Sequence, residues 1–279
     1  MELSRRHRVH IRIMKIQLAS DLHLEFIAKR FPDERLICPA PGADVLVLAG
    51  DIHVGTNAPK LFRDWPVPVV YLAGNHEFYG HEWQETRIAL RRECVEQGIH
   101  FLDNDIFEYQ GIRLVGSTLW TDFKLRGQPQ GHQMLEAEQR MNDYYRIRSK
   151  SGLLRAEDTL GDHQRSVRWL REVLNDSDLD RTVVVTHHAP HALSINPKYV
   201  GDPVNAAFAS DLTDLLFQTR LWLHGHTHDS CRYQVGRCQV VSNPAGYSLI
   251  RSQSFELADI NLENSAFDPC MLIDFPGAG

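Results

Sequence analysis

Five short segments carry side chains able to hold divalent metal ions: Asp21-Leu22-His23, Gly50-Asp51, Gly74-Asn75-His76-Glu77, His187-His188 and Gly225-His226-Thr227-His228. Each places an oxygen or imidazole donor directly after a run of apolar, β-prone residues. Such a set serves phosphoester cleavage, because two adjacent ions activate water for in-line attack on phosphorus and neutralise phosphate charge. Asp21 and His23 are two residues apart, so an extended backbone projects both to one side, towards one ion. His226 and His228 repeat that spacing. Asp51, with two carboxylate oxygens, is the natural bridge between two ions, while Asn75 offers an amide oxygen and His187 an imidazole. Oxygen and imidazole donors suit manganese, iron or zinc, and the lack of cysteine among them argues against a structural zinc site. Taken singly, an Asp-x-His pair or a lone histidine is weak evidence. The weight lies in all five segments occurring in order, each behind a strand.

The elements that must position these donors are legible in the apolar pattern. Lys15 to Ser20 reads as a strand ending at Asp21, and Asp44 to Ala49 and Val67 to Ala73 are near-continuous apolar runs, the mark of strands covered on both faces. Thr182 to Thr186 and Leu221 to Leu223 lead to the His187 and His226 segments in the same way. A short helix is predicted over Asn57 to Trp65, ended by Pro66 and Pro68. A longer helix is predicted over 81–97, with Trp83, Ile88, Leu90 and Val95 as core contacts and Gly98 closing it. Further strands are predicted at His100 to Leu102, Ile106 to Tyr109, Ile112 to Val115 and Cys270 to Phe275, and a hairpin at Arg232 to Ser242 around Gly236-Arg237. Residues 123–161 have no strand role; their polar stretch around Arg140, Tyr144, Tyr145, Arg146 and Arg148 is either a helical lid over the site or a solvated helix with two tyrosines packed inward.

With 279 residues, 43% hydrophobic and 24% charged, the chain is ordinary globular material. We read it as one domain from 14 to 279, with 123–161 as a helical cap insertion and residues 1–13 as an N-terminal extension ahead of Met14. A net charge of −6 gives no general attraction for nucleic acid or an anionic membrane. The five cysteines are odd in number and form no C-x-x-C pair, which points to scattered reduced thiols in the cytoplasm. No apolar run approaches the ~18 residues of a membrane helix.

The ordered pattern D-x-H, G-D, G-N-H-[DE], H and G-H-x-H resembles the calcineurin-like metallophosphoesterases over residues 15 to about 243. The resemblance implies an α/β fold, a four-layer α/β/β/α sandwich of two mixed β-sheets flanked by helices, with the site at the C-terminal ends of strands. It also implies two divalent ions (manganese, iron or zinc), one on Asp21, His23, Asp51 and His228, the other on Asp51, Asn75, His187 and His226. His76 takes the part of the acid that protonates the leaving oxygen. The pieces Thr118 to Phe123, Thr186 to Pro190 and Asn243-Pro244-Ala245-Gly246-Tyr247 look like a bacterial subgroup of phosphohydrolases.

Protein Ser/Thr phosphatases of this superfamily resemble G-D-x-V-D-R-G at the second motif. Here the stretch is Gly50-Asp51-Ile52-His53-Val54-Gly55-Thr56, so both the aspartate partner of the histidine and the phosphate-binding arginine are missing. The expectation is therefore a metal-dependent phosphodiesterase or phosphatase acting on a small soluble phosphoester such as a nucleotide. A nuclease with the same chemistry and a non-catalytic, protein-binding scaffold are the alternatives. His188, His191, Arg140 and Arg146 are candidates to touch substrate. Glu25 and His53 are candidates to support ligand imidazoles, Glu77 to anchor its loop, and His224 to be a satisfied buried histidine.

Overall fold

A computed structural model describes residues 13–125, 129–175, 178–249 and 256–276. The apolar runs that precede the first three motifs become β1 (Ile13–Ala19), β2 (Val45–Ala49) and β3 (Val69–Leu72), with α1 (Ala58–Phe62) between the last two. There follow α2 (Trp83–Glu96), β4 (His100–Phe101), β5 (Asp105–Tyr109) and β6 (Ile112–Ser117). The segment expected to be a cap holds α3 (Gln130–Arg140), α4 (Asp143–Arg146) and a small hairpin of β7 (Arg148–Ser149) and β8 (Gly152–Leu153). Its last residues already belong to α5 (Ala156–Asn175). The second half runs through β9 (Thr182–Thr186), α6 (Thr213–Leu216), β10 (Leu221–His224), β11 (Cys231–Val235) and β12 (Cys238–Ser242). A minor pair, β13 (Ser248–Leu249) and β14 (Asn261–Leu262), precedes β15 (Leu272–Pro276). Of the expected N-terminal extension, residues 1–12 lie outside the described residues, and Ile13 already pairs with Pro276.

Two mixed sheets result, in the orders β15-β1-β2-β3-β4 and β11-β12-β10-β9-β6-β5. The inner strands are parallel, as is the edge pair β3–β4, and the edge pairs β1–β15, β11–β12 and β5–β6 are antiparallel. Alternation sorts each strand's side chains between two layers. Val45 and Val47 of β2 pack inward against Leu114, Val183, Val185 and Leu223 of the other sheet, whereas Leu46 and Leu48 face Phe62 and Leu90 of the outer helices. On the far side, Val184, Trp222 and Val240 meet Val167, Leu170 and Leu174 of α5. The order of layers is helix, sheet, sheet, helix, the expected sandwich.

Three details depart from the sequence reading, the first being that the segment 123–161, given no strand role, carries the β7–β8 hairpin. On α2 the buried face is Trp83, Thr86, Leu90 and Cys94, while Ile88 and Val95 are 72% and 75% exposed. At ~100° per residue those two positions are turned well away from the Trp83–Leu90 line, so the helix period excludes them from the core. The cysteines are also less scattered than expected: Cys38 and Cys270 lie with their sulfurs 3.2 Å apart, both free. Buried Gln17 holds the two loops together by donating to the carbonyls of Cys38 and Pro269 at 2.8 and 3.1 Å. Among the described residues no helix is long and apolar enough to cross a membrane.

Candidate metal centre

β1, β2 and β3 are parallel neighbours in one sheet, and β9 and β10 in the other, so the loops after them open at a common end of the sandwich. The chain turns sharply there. Asp21, His23, Asp51, His226 and His228 all have positive φ, between 44° and 68°. Left-handed backbone at a residue with a Cβ costs on the order of 1–3 kcal/mol, and here it bends the donors back over the strand ends. Gly74 and Gly225 are needed for space rather than for φ. A Cβ on Gly74 would stand 2.1 Å from Asp51 Oδ1, and one on Gly225 2.6 Å from Asp21 Oδ2.

The seven expected donors come together. Asp21, His23 and His228 form one cluster of converging ligand atoms, Asp51, His187 and His226 another, and His23, Asp51 and His76 a third between them. Asp51 is thus shared, as a bridge requires. Asn75 joins the second cluster, with Oδ1 3.0 Å from His187 Nε2. The imidazoles are orientated from behind. His187 Nδ1 donates to the Ala49 carbonyl at 2.9 Å, His228 Nδ1 lies 2.8 Å from Glu263 and His23 Nδ1 3.3 Å from Glu25. Each ring therefore turns Nε2 into the centre.

A divalent ion fits this arrangement on two observations. His23 Nε2 and His228 Nε2 face each other at 3.0 Å, and two neutral imidazoles in that pose oppose lone pairs that a cation reconciles. His226 Nε2 is buried with no hydrogen-bond partner, which leaves a lone pair free for an ion. The field has the same sign. Burial works against charging the rings, yet Asp51 raises His187 to about 9, and Asp21 and Glu263 raise His228 to about 10. Against the cost of burial, His187 and His76 hold Asp51 well below the usual carboxylate range.

The carboxylate thought to be missing beside His76 is present, but it comes from another loop. Glu25 Oε1 lies 3.1 Å from His76 Nδ1 and 3.3 Å from His23 Nδ1. Burial notwithstanding, those two imidazoles hold Glu25 down to about 2. Nε2 of His76 is 3.2 Å from the Tyr247 hydroxyl. Burial opposes the charged ring, but Asp51 and Glu25 together raise His76 above the ordinary imidazole value. Glu77 anchors its loop by accepting from the amides of Asp51, Ile52 and Gly74 and from the Tyr71 hydroxyl, at 2.7–3.1 Å; burial and Asp51 push it up to about 7. His53 contacts the Val54 carbonyl rather than a ligand imidazole. His224 is buried and bonded to Ser194 and Gly225.

Sequence reasoning missed three supports. Asp143, at the start of α4 and 3% exposed, accepts from Asn75 Nδ2 at 2.8 Å and from the Tyr79 hydroxyl at 2.7 Å. Glu263 backs His228. Tyr247 closes over His23 and His228, with ring centroids 4.6 Å from each; its Asn-Pro-Ala-Gly-Tyr motif was the one signal that could have marked it.

The centre opens into a cavity of ≈ 340 Å³, whose wall includes Met141, Ile195, Tyr199, Val204 and Phe208. Of the four expected substrate contacts, Arg140 lines it and makes two hydrogen bonds to Asp202. The others are turned elsewhere. His188 is buried behind His226, its Nδ1 3.1 Å from the Thr118 carbonyl. Burial and the neighbouring His187 lower it to about 3. His191 caps the turn at 192–194 and faces Tyr233, and Arg146 lies 4.8 Å over the Tyr79 ring. The expected inward tyrosine pair is split, Tyr144 buried and Tyr145 exposed.

Comparison with known proteins agrees with this geometry. The family model of calcineurin-like phosphoesterases matches residues 14–230. An uncharacterized protein of Acanthamoeba polyphaga mimivirus is 27% identical over 282 residues, covering 91% of this chain and 98% of that one. The crystal structure of phosphopantetheinyl hydrolase from Mycobacterium tuberculosis superposes with a TM-score of 0.65 at 16% identity, over 84% of this chain and 90% of that chain, a likeness of fold. The chain belongs to the calcineurin-like phosphoesterase family and is a metal-dependent phosphoester hydrolase.

Proposed function

We propose that the chain hydrolyses a small phosphodiester, with one divalent ion on Asp21, His23, Asp51 and His228 and a second on Asp51, Asn75, His187 and His226. When bound, two such ions activate water and neutralise phosphate charge. The donor types suit manganese, iron or zinc. His76, steered by Glu25 through Nδ1, presents Nε2 to the leaving oxygen and gives it a proton as the bond to phosphorus breaks. The Tyr247 hydroxyl restrains the same nitrogen.

One observation carries the preference for diesters. Arg140 is the only arginine or lysine among the described residues lining the cavity, and both its hydrogen bonds go to Asp202. A phosphate monoester at neutral pH brings an additional negative charge that finds no free guanidinium there. The acidic balance of the chain supports a small substrate over a nucleic acid.

The test is hydrolysis of paired aryl mono- and diesters by metal-stripped protein with manganese restored, beside an Asp51→Asn control. Manganese-dependent diester turnover that disappears in the control is the expected result. Faster monoester turnover would refute the diester preference, and no turnover of either would refute the reading as a whole.

A further inference from the structure

Two aromatic rings bracket the metal centre. Phe208 stacks on His226 with centroids 4.6 Å apart at 27°, and Tyr247 covers His23 and His228 from the other side. The two organic arms of a phosphodiester seated between them leave along one ring or the other. The Tyr247 side carries His76, so the leaving group belongs there. The remaining arm runs past Phe208 onto Met141, Ile195 and Val204, supplied by the α3–α4 junction and by the turns at 192–207.

The polar groups of that wall are largely engaged. Arg140 is held by Asp202, Asn196 donates to Asp229 and accepts from the Lys198 amide, and Asn205 donates to the Tyr199 carbonyl. An apolar surface gains roughly 25 cal/mol for each Å² it buries against an apolar ligand. It penalises an unpaired charge.

From this we infer the substrate class: a phosphodiester whose retained ester group is uncharged and predominantly apolar, aryl or alkyl, packed on Phe208, Val204, Ile195 and Met141. The inference rests on the phosphodiesterase reading above. Water adds its oxygen to phosphorus, the bond to the leaving oxygen breaks, that oxygen takes a proton, and the products are an alcohol and an apolar phosphomonoester.

Three diesters sharing a 4-nitrophenyl leaving group test it, with phenyl, methyl or 4-carboxyphenyl as the retained group, on manganese-loaded protein. The phenyl ester is expected to exceed both others in kcat/KM by about tenfold, through KM. Val204→Lys is expected to reverse the order of the phenyl and carboxyphenyl esters by placing a cation on the wall. Equal kcat/KM for phenyl and methyl, or a wild-type preference for carboxyphenyl, overturns the inference. Binding of phenyl phosphate and methyl phosphate to the same loaded protein separates the two levels. Without turnover, about tenfold tighter binding of phenyl phosphate upholds the apolar wall while the reaction reading falls, and equal binding overturns both.

Discussion

Asp143→Asn exchanges one buried carboxylate oxygen for an amide nitrogen at the point where α4 touches the metal centre. In the native site Asp143 Oδ1 accepts from Asn75 Nδ2 and from the Tyr79 hydroxyl. An ionised carboxylate can only accept, so Asn75 must turn its nitrogen to Asp143 and its oxygen to His187. An asparagine at 143 can also donate, and the orientation of Asn75 is no longer imposed. Losing a support of this kind costs ~10–100-fold in metal affinity, or about 1.4–2.8 kcal/mol. The expected loss falls on the ion assigned to Asp51, Asn75, His187 and His226, and spares the one assigned to Asp21, His23, Asp51 and His228. Manganese titration of stripped protein by calorimetry resolves the two sites. Tyr79→Phe is the companion variant, since it removes one donor to Asp143 and the longer 3.3 Å contact of Asn75 Nδ2 with the hydroxyl, and keeps the 2.8 Å bond from Asn75 to Asp143; its affinity at that site should stay within about threefold of wild type. Two native affinities in Asp143→Asn would refute the reasoning. So would an equal loss at both sites together with a lowered Tm, which would make Asp143 a support of the fold.

Gly74→Ala drives a methyl into Asp51 and His187, and we expect metal content and turnover to fall by about 100-fold or more while overpacking costs about 1–3 kcal/mol of stability; full metal content by elemental analysis would contradict this. Asp162→Ala removes the carboxylate hydrogen-bonded to the Arg87 guanidinium, which is largely buried between α2 and α5 and is left with Asp103 3.9 Å away, so urea unfolding should show a loss of about 3 kcal/mol. A change below about 1 kcal/mol would show the pair to be dispensable. Oxidised glutathione should close a Cys38–Cys270 disulfide by two successive exchanges, releasing two glutathione thiolates and lowering the mass by about 2 Da. The cross-link should also raise the Tm, because it restrains a long loop of the unfolded chain. Persistent glutathione adducts on both cysteines would count against the contact.

How much was legible in advance follows from how local each signal is. Apolar runs marked strands because burial on both faces leaves its imprint on consecutive residues: β2, β3 and β9 lie within the predicted runs, and β10 extends one residue past its own, to His224. The core face of α2 was harder. Ile88 and Val95 are as apolar as Leu90, and only the helix rotation and the sheet beneath it separate them. His188 met the same difficulty: adjacent to His187 in sequence, it turns the other way and is walled in by Trp120 and His226.

The sequence by itself marked the candidate donors, because each sits beside its own strand and its chemistry is a property of the residue. It determined the reaction class for the same reason. Only the tertiary structure decided what orientates those donors and what surrounds the substrate. Asp143 reaches Asn75 across 68 positions, Glu263 reaches His228 across 35, and Tyr247 reaches His76 across 171. Glu25, only two residues from His23, serves a histidine 51 positions away. No spacing rule links such partners. They meet because two sheets stack and bring their strand ends to a common edge.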